Sequence, residues 1–213
     1  MLHYITSIAP SARKFFGLIS LLWLISVLFF DLSLISWILF LVSLATIYLY
    51  QQPRRELKHF DNNSLVSPVD GKVTSIKKKY IGEHLWYEID VENTIFDQGN
   101  ITPMLNQLKI THVERTHGIK VPTNSLKKNQ LSEQIEVEYQ KGNLILKTIH
   151  YPSFCSFFSK FDILKNFMLN RNSLIGFMRF GSTKIYIPVD VQLSIDENTH
   201  IYSDKTVLGY LNQ

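Results

Sequence analysis

The sequence predicts an N-terminal transmembrane helical hairpin followed by a mainly β soluble domain with one short helix. Three observations carry this. Phe15 to Tyr50 is almost wholly apolar, with Asp31 its only charge. The remainder carries short runs of β-branched and aromatic residues separated by turn residues. In one soluble stretch only, Cys155–Asn170, apolar residues recur at helical spacing.

The apolar run comes first. As one helix it would be about 54 Å long, against a hydrocarbon core of about 30 Å. One straight span fits poorly. Asp31, Leu32 and Ser33 supply a turn between two spans, roughly Phe15–Phe30 and Leu34–Tyr50. Arg13 and Lys14 precede the run, and Arg54 and Arg55 follow it. The positive-inside rule puts both ends in the cytoplasm and Asp31 on the other side. The run is too long for a cleaved signal peptide, and no small-residue cleavage site follows it. Residues 1–52 are therefore expected to be a membrane anchor and 53–213 a soluble domain, with the protein in the inner or plasma membrane.

Pro53 ends the second span, since proline cannot continue a helix. Strands are expected at Val69–Ile76, His84–Glu92, Gln107–Val113, Ile135–Tyr139, Asn143–Ile149 and Lys184–Val189. Tyr139–Asn143 reads as a hairpin turn, with Gly142 at a positive φ. In Cys155–Asn170, Phe157, Phe161, Leu164 and Met168 recur at three and four, the one soluble helix expected. Leu193–Leu211 reads as two short strands.

Charge narrows the partners. Setting aside Arg13, Lys14 and Asp31 leaves 20 basic and 17 acidic residues, a net +3. That is too mild for nucleic-acid binding. The basic clusters Arg54-Arg55, Lys77-Lys78-Lys79 and Lys127-Lys128 suit either anionic headgroups or plain solvated surface. Cys155 is the only cysteine, so there is no disulfide and no cysteine zinc site.

Two motifs carry the chemistry. Gly181-Ser182 lies in Gly176-Phe-Met-Arg-Phe-Gly-Ser-Thr-Lys-Ile-Tyr-Ile-Pro188. By itself such a step is more often a turn or bulge than a scissile bond. Ser67-Pro68-Val69-Asp70-Gly71-Lys72-Val73 lies far upstream. Together the two resemble the cleavage-site and upstream motifs of the short-form phosphatidylserine decarboxylases, in the same order and separation. The likeness covers nearly the whole chain, though only these two motifs are sharp.

The resemblance implies a small β-sandwich or barrel-like domain and a self-made cofactor. Ser182 Oγ attacks the Gly181 carbonyl, and the resulting ester eliminates to dehydroalanine. Hydrolysis then leaves a chain ending at Gly181 and a smaller one beginning with a pyruvoyl group at position 182. That ketone takes up the amine of phosphatidylserine and accepts the electrons as carbon dioxide leaves. Asp70 matches the family aspartate that orients the base; alone, Asp-Gly would read as a turn pair. The partners implied are a phospholipid substrate and the membrane, with no nucleic acid; self-association is left open.

The histidine departs from the pattern. Where the family carries Phe-Asp-Val-His-Val-Asn-Arg-x-Pro, this chain has Phe96-Asp-Gln-Gly-Asn-Ile-Thr-Pro103, and Gly99 stands at the histidine position. His112 and His117 are the nearest later substitutes. Processing is then slow, uses Asp70 directly, or is lost, and a non-catalytic relative binding lipid or a partner protein is the alternative. Other readings are weaker. His112-x-Glu114-x-x-His117 lacks the spacing of the zinc-protease helix, so no metal site is expected. The lysine turn Ser203-Asp204-Lys205-Thr206 lies too near the C-terminus for a lipoyl-type carrier.

Overall fold

A computed structural model describes residues 7–30, 34–52, 60–94, 96–122, 131–154, 156, 159–161, 163, 165–171 and 173–211. The chain divides into two compact units, Met1–Arg55 and Glu56–Gln213.

In the first unit, α1 (Pro10–Phe30) and α2 (Leu34–Tyr50) pack against one another. Strands β1 (Ser7–Ile8) and β2 (Gln51–Gln52) pair antiparallel at the base of the two helices. The hydroxyls of Ser26 and Ser36 lie 2.7 Å apart between the helices. Those of Ser20 and Ser43 lie 3.3 Å apart. Large apolar side chains point outward, with Leu28 71%, Phe29 77% and Leu34 78% exposed. Ala12–Phe29 is long and apolar enough to cross a membrane by length and composition; α2, with 17 residues, is shorter. The expected turn at Asp31–Ser33 lies outside the described residues.

The second unit is mostly β. Its strands are β3 (Ser64–Val66), β4 (Gly71–Ile81), β5 (His84–Asn93), β6 (Asn100–Ile101), β7 (Leu108–Thr116), β8 (Gln134–Lys141), β9 (Leu144–Pro152), β10 (Lys160–Phe161), β11 (Met168–Leu169), β12 (Gly176–Phe177), β13 (Gly181–Pro188), β14 (Val191–Leu193), β15 (His200–Ile201) and β16 (Val207–Leu211). Eight form one curled, half-barrel sheet in the order β11-β7-β8-β9-β13-β5-β4-β15. Two three-stranded sheets, β14-β16-β3 and β10-β12-β6, complete the unit.

Period-2 alternation explains the core. In β8, Ile135, Val137 and Tyr139 are buried while Glu136 and Glu138 on the other face are half-exposed. Val73, Ile89, Val91, Leu146 and Ile185 join them in one cluster. The hairpin turn at 139–143 is present, and Gly142 has a φ of 58°.

One expectation fails. Among the described residues of Cys155–Asn170 there is no helix; Lys160–Phe161 and Met168–Leu169 are the short strands β10 and β11, and the rest are turn or irregular. Asn166 takes a positive φ of 66°, which no helix accommodates. Asn166 N also donates to Ile110 O, and Ile110 N to Phe167 O, so this segment bonds to β7 instead of to itself. Aromatic residues are poor helix formers, and here sheet partners override the spacing. Cys155, Phe157 and Leu164 lie outside the described residues.

Candidate functional site

The two motifs meet at the end of β5. On one side Lys72 of β4 pairs with Glu92. On the other, Gly181 and Ser182 of β13 pair with Asn93 and Glu92. The Asn93 side-chain amide donates to the Asp70 carbonyl, tying the upstream motif to the residue opposite Gly181.

The third family-like stretch closes on the same place. Gln98 N donates to Asp70 Oδ2 at 3.0 Å. Met178 N donates to Gly99 O at 2.7 Å, and Thr102 N to Pro68 O at 2.9 Å. The turn after β15 also joins: Ser203 N donates to Asp70 Oδ1 at 2.6 Å. Ser203 Oγ lies 2.8 Å from Thr102 Oγ1. The Ser203–Thr206 turn thus clasps the Asp70 loop, a role its likeness to a carrier-domain lysine turn did not suggest.

Gly181 and Ser182 open strand β13 instead of forming a turn. Gly181 has a φ of 153°, and a Cβ there would collide with the Tyr151 carbonyl oxygen. Only glycine fits. Ser182 is 5% exposed, and its Oγ has no hydrogen-bond partner. A buried hydroxyl left unpaired costs roughly 1–3 kcal/mol, so it calls for an explanation.

Asp70 is 1% exposed. Its carboxylate oxygens accept from the backbone amides of Gln98 and Ser203, and neither bonds Ser182 Oγ. Two backbone donors fix the aspartate as a clamp on the converging loops.

Among the described residues no histidine bonds Ser182 Oγ. His112 lies on β7, three strands from β13 in the sheet order, with its side chain 48% exposed and 3.5 Å from Glu114. His117 is exposed beyond the end of β7. His150 is nearer, opposite Thr183 on the adjacent strand β9, and nothing in the sequence marked it. It faces the other side of the sheet from Ser182. Its Nδ1 lies 3.0 Å from Thr183 Oγ1 and its Nε2 3.1 Å from Thr148 Oγ1. Burial lowers its pKa to about 3, so it is a neutral core residue. Gly99 itself lies flat on the chain just before Gly181-Ser182. A Cβ there would sit 2.8 Å from Arg179 N and 2.9 Å from the Met178 carbonyl carbon.

The face that carries Ser182 is polar and partly buried. Glu88, 7% exposed, accepts from Tyr186 Oη at 2.7 Å, Lys79 Nζ at 3.0 Å and Lys184 Nζ at 3.3 Å. Burial pulls its pKa up, but these donors outweigh that and hold it below the usual carboxylate range. Burial, and then Asp90, Glu88 and Glu136, push the Tyr151 phenol up to about 12. Among the described residues no group of three His, Cys, Asp or Glu is placed to hold a metal ion. A pyruvoyl group would derive from Ser182 itself, and an orphaned hydroxyl directly after a glycine in an open backbone conformation fits that origin.

Compared with family models, with curated proteins and with solved structures, the chain matches none.

Proposed function

We propose that this chain is a membrane-anchored proenzyme that cuts itself between Gly181 and Ser182 and then decarboxylates phosphatidylserine to phosphatidylethanolamine. One observation carries the proposal. Three stretches separated in sequence, each resembling a family motif, meet around the end of β5, where the buried Ser182 Oγ has nothing to bond. In this scheme Ser182 Oγ bonds to the Gly181 carbonyl carbon, the Gly181–Ser182 amide bond breaks, and the hydroxyl proton ends on the freed amine. Loss of the Ser182 α-proton then expels the Gly181 carboxylate, and water releases ammonia from the resulting dehydroalanine. A pyruvoyl carbonyl supplies the electron sink that amino-acid decarboxylation needs.

The helices fit a membrane anchor. They present apolar side chains outward and keep serine hydroxyls between them, as membrane helices do. At 1.5 Å per residue, α1 is about 32 Å long and α2 about 26 Å, near the hydrocarbon thickness. The soluble unit then lies on the cytoplasmic face of the inner or plasma membrane, beside the lipid it consumes.

One observation favours a second reading, a non-catalytic relative that binds lipid or a partner protein: among the described residues no histidine bonds Ser182 Oγ. Substrate turnover separates the two. Purified protein in detergent is expected to release carbon dioxide from phosphatidylserine, and borohydride or hydroxylamine to stop it by attacking the ketone. A cleaved preparation that leaves phosphatidylserine untouched contradicts the substrate assignment.

A further inference from the structure

We infer that Glu92 is the base that takes the proton from Ser182 Oγ. This rests on the self-processing proposed above and supplies the group its sequence lacks. Register carries it. Strands β5 and β13 run antiparallel, with Glu88 opposite Tyr186, Asp90 opposite Lys184 and Glu92 opposite Ser182. Residues directly opposite share a face, with Cβ atoms about 4.5–5.5 Å apart. Two of these three rungs already touch. Tyr186 Oη donates to Glu88 at 2.7 Å, and Lys184 Nζ lies 3.8 Å from Asp90 Oδ1. The third rung holds Ser182, whose buried hydroxyl has no partner. Glu92 is half-buried on that same face.

The other candidate groups are less well placed. Both Asp70 oxygens accept backbone amides. His150 faces the other side of the sheet, between Thr148 and Thr183. Beyond Glu92 the same row continues through Lys72 to His200 on β15. His200 is three strand spacings from Ser182, about 14 Å, and its Nε2 lies 2.8 Å from Asp97 Oδ1. On the far side of Ser182 the row holds Tyr151, whose phenol stays protonated at neutral pH. Glu92 is the carboxylate directly opposite the nucleophile. It accepts the Oγ proton as the Oγ–carbonyl bond forms and returns it to the nitrogen as the amide bond breaks, so the proton count closes within the site.

The test follows the 182–213 fragment over time in pulse-labelled full-length chain made in detergent or lipid. Glu92→Gln keeps size and hydrogen bonding but removes the base. It is expected to slow cleavage about a hundredfold or more, in line with losing a general base, with the melting temperature held. Glu92→Asp is expected to recover part of the rate, and added formate to speed Glu92→Ala. A Glu92→Gln chain that cleaves at the wild-type rate, or a Glu92→Ala chain that formate does not help, overturns the role of Glu92 while leaving self-processing intact. Wild type that never cleaves overturns both.

Discussion

At the scale of single residues, the site is built from exceptions. Gly181 holds a backbone conformation other residues resist, and Ser182 buries a hydroxyl with no partner. Asp70 spends both carboxylate oxygens on backbone amides. Gly99 bears directly on how this site is repaired. By the resemblance, a histidine there would complete the motif. The structure predicts the opposite, because a Cβ at 99 meets the backbone of Met178 and Arg179, and backbone cannot turn aside as a side chain does. Gly99→His is expected to lower stability by about 2 kcal/mol or more, in the range of overpacked cores, and to slow cleavage. Thermal melting and the rate of fragment release measure both. Faster cleavage in a chain of unchanged stability contradicts this account of the site.

At the scale of elements, alternation was legible and register was not. The runs that became β4, β5, β7, β8, β9 and β13 could be placed from apolar periodicity, as could Gly142 in its turn. Glu92 was visible only as the last residue of the expected strand His84–Glu92. Its pairing with Ser182 depends on which strands become neighbours, and 90 residues separate the two in the chain. Cys155–Asn170 misled for a related reason. Its helical spacing is real, but Asn166 and the bonds to β7 decide the structure, and those partners lie about 55 residues upstream. The helices of the first unit carry their own prediction. In a Cys155→Ser background, a membrane-impermeant maleimide applied to intact cells is expected to label Ser33→Cys and to miss His3→Cys and Glu83→Cys. Labelling at position 3 or 83 contradicts a hairpin with both ends in the cytoplasm.

At the scale of the whole molecule, the chain divides into an apolar helical pair and a β unit that gathers the candidate site residues at one end of a central sheet. The Asp70 loop, the Gln98–Thr102 segment, the start of β13 and the Ser203 turn come from positions spread over more than 130 residues, and backbone hydrogen bonds hold them together. A fold can carry many functions, so the motifs, not the sheet, argue for chemistry. The most direct test of the central claim is the intact mass of the purified full-length protein beside Ser182→Ala. The account predicts two chains from wild type, 1–181 and 182–213, the smaller with a blocked N-terminus, and one uncut chain from Ser182→Ala. A wild-type protein that remains a single chain of full-length mass under native conditions contradicts it.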